Sequence, residues 1–495
     1  MSALKKLASQ TAVYGLSSIL GRLLNYLLVP LYTLSFTTSE YGIVNEFYAY
    51  VAFFTVLLTF GLETTYFRFI NKSENQEKTF NEIFSLVLII SGIFLILILI
   101  FSQGLANLML LPQYQNVVVW FGFILVFDAT SSILLAKLRH QNNSKKFAFI
   151  QLSSIGLNIL LNVIFILYAK EQVDAGNTEG LAGMIYSPAI GLGYIFIANL
   201  CSSLLKPLLL YKELSVFKFT FSKSQAKTFL LFAAPLAIAG FAGIVNETID
   251  RPMLKYLVYG QTNDLDYAQS QVGIYSANYK LSILITLFIQ AFRYAAEPFF
   301  FAQEKSEDKT KVYSKVMTWF VVVVALMFVG VSLNLDIFKL FIRDEAYWVG
   351  LHVVPILLLA NVFLGIYYNQ SIWYKLADRP MFGAYIAIGG AIVTIILNLA
   401  LIPFLGYLGS AWATLIVYFG MCAASWYLGQ KYYPIKYNLR KVIFYLVASV
   451  ILVMIGLLVQ GDNEKFNITI GIIFTGIFAG IVVFIERPLR TLRKR

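Results

Sequence analysis

The chain has 495 residues, of which 59% are hydrophobic and 13% charged, with mean hydropathy +0.73. Soluble domains carry roughly 25% charged residues, and a soluble core of this length could not hide so much apolar surface, so an ordinary soluble enzyme is excluded. The formal net charge of +12 admits either nucleic acid or an anionic membrane surface as a partner, and the placement of the basic residues decides between them.

The apolar residues fall in runs of about 20, the length that crosses a bilayer as a helix. In chain order they predict spans at 11–34, 42–62, 83–101, 115–136, 147–168 and 183–210, six in the first half. The pattern resumes at 228–249, 270–292, 312–333, 350–372, 381–402 and 408–428, followed by 441–460 and 467–485, for fourteen in all. Met1 to Gln10, with Lys5 and Lys6, superficially resembles a signal peptide. The apolar stretch after it is too long, is interrupted by Arg22 and Asn25, and lacks a small-residue cleavage site, so a retained first helix is expected.

With a cytoplasmic N-terminus the loops alternate, and the inside set holds about 30 of the 38 Lys and Arg against about 6 outside. Lys137, Arg139, Lys145 and Lys146 form one dense inside loop, Lys206 to Lys227 contains another, and the tail from Arg487 to Arg495 a third. Segment 102–114 on the other side has no charge. The basic excess is therefore topological, with both termini expected in the cytoplasm and no nucleic-acid role.

An internal repeat is readable. Tyr41-Gly42-Ile43 with Tyr48 matches Val272-Gly273-Ile274 with Tyr279, and Lys137-Leu138 with Ile159 to Asn162 matches Lys375-Leu376 with Ile395 to Asn398. Gly180 and Gly183 match Gly406 and Gly409, all at an offset of about 230 residues. An even number of spans per unit makes the repeats parallel. The expected architecture is an all-α polytopic membrane protein, with lobes at 1–210 and 211–430 and an appendage at 431–495 that carries two helices and the basic tail.

No phosphate-cradling glycine loop, nucleophile elbow or metal spacing around His140 and His352 is present, and Cys201 and Cys422 support no disulfide framework. Neither catalysis nor a cofactor is expected. The glycosylation patterns at Asn71 and Asn142 fall in loops assigned to the cytoplasm and carry no weight.

A charge at the bilayer centre costs roughly 2.5–3.5 kcal/mol on insertion scales, so it faces a wet or protein-lined interior. Arg22 stands mid-span with Asn25 and Tyr26 at i+3 and i+4, which makes a polar stripe whose bland alternative is a structural partner for another helix. Lys280 stands mid-span beside Tyr275 and Tyr279 and is expected, with Arg22, to line one water-filled cavity between the lobes. Arg68 and Arg293 end spans, where they either ring the cytoplasmic mouth or simply obey the charge rule. Glu63, Asp128, Glu247 and Asp250 are candidates for ion coupling, each with a bland alternative: helix ends for Glu63 and Asp250, a lone basic partner for Asp128, and an i, i+4 pair with Arg251 for Glu247. Asn158, Asn162, Asn361 and Asn398 are expected to be interhelical hydrogen-bond glue.

Several of these residues together resemble the polysaccharide-transporter branch of the multidrug, oligosaccharidyl-lipid and polysaccharide exporter superfamily. They are Glu40-Tyr41-Gly42, Gly61-Leu62 with Arg68-Phe69, Asp250-Arg251, Val272 to Ser276, Pro298-Phe299, and Ile402-Pro403 through Gly406, Gly409, Ala411 and Ala413-Thr414. The resemblance implies a flippase that moves an undecaprenyl-pyrophosphate-linked oligosaccharide across the bacterial cytoplasmic membrane by alternating access of two lobes, for O-antigen, capsule or exopolysaccharide assembly. It also implies membrane lipids as surroundings and a polysaccharide polymerase and other assembly proteins as partners. The alternatives are a cation-coupled multidrug or small-molecule exporter, a lipid II flippase, and a membrane scaffold. Multidrug relatives usually have twelve helices and acidic ion-binding residues in the first lobe, and lipid II flippases several early arginines, where this chain has Arg22 alone.

Overall fold

In the computed structural model, residues 20–21, 23–304 and 307–486 are described, and among them the chain is helical without strands. Long apolar helices satisfy their own backbone groups, which is the condition for lying in a bilayer. Twelve are long and apolar enough to span one, and two shorter apolar helices accompany them. The protein is a multi-pass membrane protein.

In the first unit, 1–249, α1 (Leu23–Ser35) is followed by the spans α2 (Thr38–Ile70), α3 (Gln76–Leu108), α4 (Pro112–His140) and α5 (Ser144–Asp174). The shorter α6 (Gly193–Leu209) and the span α7 (Lys223–Thr248) complete it. Helix starts carry local signals. Thr37 and Glu40 form a reciprocal capping box at α2, with Glu40 Oε2 accepting the Thr37 N–H at 2.9 Å, and Asn75, Asn143 and Ser222 cap α3, α5 and α7. The core of this unit packs Leu62, Tyr66, Phe80, Phe84, Leu134 and Phe147.

The second unit, 250–495, begins with α8 (Asp250–Thr262). The spans α9 (Leu265–Phe301), α10 (Lys309–Ser332), α11 (Glu345–Leu376), α12 (Met381–Leu405) and α13 (Tyr407–Tyr432) follow, then α14 (Leu439–Val459) and α15 (Glu464–Glu486). One of its clusters joins Leu254, Val272, Tyr275, Leu357 and Ile402, and another surrounds Trp373. Lys339 bridges Asp336 at 2.7 Å and Glu464 at 2.6 Å, which anchors the start of α15 beside the end of α10.

Two expectations need correction. The segment 183–210 is not continuous: a short turn of helix, Leu181–Ile185, stops at Tyr186, and α6 begins only at Gly193. Pro188 and Gly191, the latter at φ +50°, account for the break. Conversely, α8 falls in a stretch read as a polar break, because its helix buries Asp250, Arg251 and Lys255 together with Leu254 and Val258. Mixed charge hid a buried helix from hydropathy. The expected span 11–34 lies partly outside the described residues, and α1 makes up most of its described part.

The repeated glycines play matching roles. Gly180 (φ +122°) and Gly406 (φ +56°) each precede a helix in a backbone conformation that L side chains avoid. Three residues on, a Cβ at Gly183 would stand 1.9 Å from Thr178 O, and one at Gly409 2.6 Å from Leu401 O.

Candidate functional site

The polar residues of the first unit form an interhelical ladder. The Tyr32 hydroxyl on α1 donates to Asn162 Oδ1 on α5 at 2.9 Å, and Asn162 Nδ2 donates to the Asn158 carbonyl at 2.8 Å. Asn158 Nδ2 reaches Asn25 Oδ1 at 3.5 Å, the outer limit of a hydrogen bond. Asn25 is exposed and Tyr26 half-buried, and of the stripe expected beside Arg22 it is Asn25 that meets α5. Arg22 itself lies outside the described residues.

Two of the candidate acids of this unit are held by cations. Glu63 pairs with Arg139, whose guanidinium also lies 4.9 Å from the Phe67 ring centroid. Asp128 pairs with Lys206 at 2.8 Å. Arg68 is exposed and stacks on Phe232 of α7, 4.4 Å from the centroid. Glu247, in the last turn of α7, is exposed. The sequence reading missed Glu46, fully buried in α2, where Tyr50 donates to its Oε1 at 3.2 Å. A carboxylate between Val44 and Phe47 was the available signal.

In the second unit the junction of α8 and α9 holds a buried charged group. Arg251 Nη1 donates to Asp250 Oδ1 at 2.7 Å, the Tyr275 hydroxyl donates to Asp250 Oδ2 at 2.7 Å, and Arg251 lies over the Tyr279 ring at 4.4 Å. Tyr275 and Tyr279 are thus buried partners of this ion pair, and Lys280, one residue on, is half-buried. Lys255 is completely buried on α8, a second residue that sequence reading passed over. Asn361 and Asn398 cross-link helices as expected: Asn361 Nδ2 donates to Ser282 Oγ at 3.1 Å, and Ser410 Oγ donates to Asn398 Oδ1 at 3.0 Å.

Farther along α9, Arg293 Cζ lies over the Tyr368 ring of α11, 4.2 Å from its centroid. Glu297, one turn later, pairs with Lys375. The structure thus gathers the candidate residues into separate places: the α1–α5 ladder, the α8–α9 ion pair and the α9–α11 cation cluster.

Comparison with known proteins gives these features a context. The family model described as "Polysaccharide biosynthesis protein" matches residues 7–303. No curated protein matches. Among solved structures, the lipid II flippase MurJ in an inward closed conformation is similar at TM-score 0.71 and 15% identity, covering 94% of this chain and 98% of that one. A multidrug resistance MATE family transporter of the MOP superfamily is similar in its inward-facing conformation at TM-score 0.61 and 15% identity, covering 83% and 94%. An outward-facing conformation of a MATE transporter gives 0.57 at 15% identity, covering 87% and 94%. The matched family segment spans more than half of the chain, and the helical fold is shared across these structures: the chain belongs to the polysaccharide biosynthesis protein family.

Proposed function

We propose that this membrane transporter is a flippase for an undecaprenyl-pyrophosphate-linked oligosaccharide, working by alternating access in the bacterial cytoplasmic membrane. The observation that carries the reading is the match of residues 7–303 to a polysaccharide biosynthesis family in a chain that shares its fold, over 94% of its length, with a lipid II flippase. In this reading residues 1–210 and 211–430 are the repeated lobes, 431–495 is an appendage, and both termini are cytoplasmic. The cargo is an O-antigen, capsule or exopolysaccharide repeat unit, and a polymerase and other assembly proteins receive it.

The chemistry supports an anionic cargo. A pyrophosphate must shed water to cross, and cations presented at helix surfaces offset that cost. Arg22 and Lys280 are the cations assigned to it, with Asn25, Tyr26, Tyr275 and Tyr279 beside them and Arg68 and Arg293 at the cytoplasmic mouth. Coupling to an ion falls to one of Glu63, Asp128, Glu247 and Asp250.

The likeness to MATE transporters favours a second reading, a cation-coupled exporter of small amphipathic molecules. In the first unit Glu63 and Asp128 are already neutralised by Arg139 and Lys206, which argues against a free carboxylate pair for a cation there. A lipid II flippase is the alternative within the lipid-carrier class.

Reconstitution into proteoliposomes tests these readings. With fluorescent undecaprenyl-pyrophosphate oligosaccharide in both leaflets, an external glycosidase should cleave about half of the label in empty vesicles and nearly all of it in protein-containing ones. Cleavage stalled at the empty-vesicle level, together with ion-driven uptake of a cationic dye, would establish the exporter reading instead.

A further inference from the structure

The cation cluster between α9 and α11 has more charge than its own acids can cancel. Arg293 and Glu297 are four residues apart on α9 and so share a helix face. Lys375, in the last turn of α11, takes Glu297 as its ion-pair partner. Arg293 finds no carboxylate partner among the described residues and lies over Tyr368 instead. Two cations therefore stand near one acid, which pairs with Lys375 alone.

Geometry leaves the surplus cation available. Arg293 Cζ lies over the Tyr368 ring, 4.2 Å from its centroid, and the planar fork of a guanidinium matches two oxygens of a phosphate. Arg293 is half-buried, and the Lys375 and Glu297 side chains are 29% and 42% exposed, so a ligand can reach all three. The Tyr374 ring seats against Gly383, where a Cβ would come within 2.9 Å of it. A tendency of basic residues to gather on one membrane side explains the cations. It does not explain an acid placed against one of two neighbouring cations while the other is held open.

We propose that Arg293 and Lys375 form a phosphate-binding subsite in the second unit, with Glu297 as a resident counter-ion that the phosphate displaces from Lys375. The proposal rests on the lipid-pyrophosphate reading above and deepens it. In the empty state Glu297 compensates Lys375, which limits the cost of holding two like charges together. When a phosphate arrives, Arg293 grips two of its oxygens and the Lys375 ammonium swings from the carboxylate to a third. The freed Glu297 then repels the bound anion. That repulsion keeps binding weak enough for the cargo to leave, so the same carboxylate serves the empty state and the release step.

The test uses full-length protein in lipid nanodiscs, with dissociation constants and off-rates measured for undecaprenyl pyrophosphate, inorganic pyrophosphate and undecaprenol. Arg293→Gln and Lys375→Gln should each weaken undecaprenyl pyrophosphate about tenfold, the scale of one charge-assisted contact, with Arg293→Lys in between. Glu297→Gln should tighten binding and slow dissociation. Undecaprenol should bind all variants equally. Because Lys375→Gln strands an acid, the neutral Glu297→Gln/Lys375→Met pair, with Arg293 intact, separates misfolding from lost recognition: it should melt near wild type yet bind the pyrophosphate lipid more weakly. Wild-type affinity in Arg293→Gln and Lys375→Gln, or weaker binding in Glu297→Gln, would overturn the subsite while leaving the flippase reading in place. Binding of inorganic pyrophosphate with the same variant pattern, but none of the lipid, would keep the subsite for free phosphate and overturn the lipid reading. No binding of either would overturn both.

Discussion

The Lys206 ammonium stands 2.8 Å from Asp128 Oδ1 and ties α6 to α4 within the first unit. Both residues lie in apolar helices, where a lone charge is costly, so each is the other's neutraliser. Asp128→Asn strands Lys206 and should cost about 1–2 kcal/mol, below the figure for a fully buried pair because both side chains retain some exposure. Adding Lys206→Met should recover most of the lost thermal stability, and glycan export should recover with it. A double variant that regains its melting temperature without regaining export would instead assign Asp128 to ion coupling.

Gly409→Ala places a methyl group 2.6 Å from Leu401 O and 2.9 Å from Ile402 N, backbone atoms that cannot step aside as a side chain would. The expected cost is roughly 2–4 kcal/mol. Gly420→Ala, with nothing within 4 Å of the new carbon, is the control and should melt as wild type does. Detergent-solubilised melting curves compare the two directly. Equal melting of both variants would mean that the α12–α13 junction relaxes to admit a side chain.

Lys339 lies outside the spans, between α10 and α11. Burial opposes its charge, yet hydrogen bonds to Asp336 and Glu464 together raise its pKa above the usual lysine value. A raised pKa means the bridge contributes fully below the unfolded lysine value of about 10.4 and fades as pH climbs through the folded one. Lys339→Met should therefore lower the melting temperature by about 1–2 °C, with the gap to wild type constant from about pH 7 to 9 and closing above about pH 10.5. A gap that widened in that alkaline range would contradict the assignment.

Charge should matter more than shape at Arg22. In a strain lacking the native flippase, Arg22→Lys should retain part of the export and Arg22→Gln lose most of it at equal membrane abundance, because only the former keeps a cation for the pyrophosphate. Near-normal export by both variants would remove Arg22 from the binding role.

Topology follows from the basic-residue bias. After replacement of Cys201 and Cys422 by serine, a cysteine at Asn463 should react with an impermeant maleimide in intact cells, and one at Lys145 only after permeabilisation. The reverse pattern would invert the assigned orientation.

Hydropathy made most of the fold legible, because a bilayer demands a continuous apolar helix of about 20 residues and the chain has little freedom to disguise one. The interhelical roles of Asn361 and Asn398 were legible for the same reason: an amide in an apolar helix needs a partner on another helix. Other features depend on which surfaces meet, which composition does not specify. The helix at Asp250–Thr262 was hidden because its charges are cancelled by contacts made only after folding, as Asp250 shows with Arg251 and Tyr275. The buried state of Glu46 and Lys255 was hidden likewise, since burial belongs to the packed helices and not to the residue type. Glu297 and Lys375 stand 78 positions apart in the chain, and only the packing of α9 against α11 pairs them. The sequence by itself determined that the protein is built of long apolar helices and where most of its charge lies. Tertiary structure alone decided which charges are cancelled, because electrostatic pairing falls off within a few ångströms and those distances are set by helix packing.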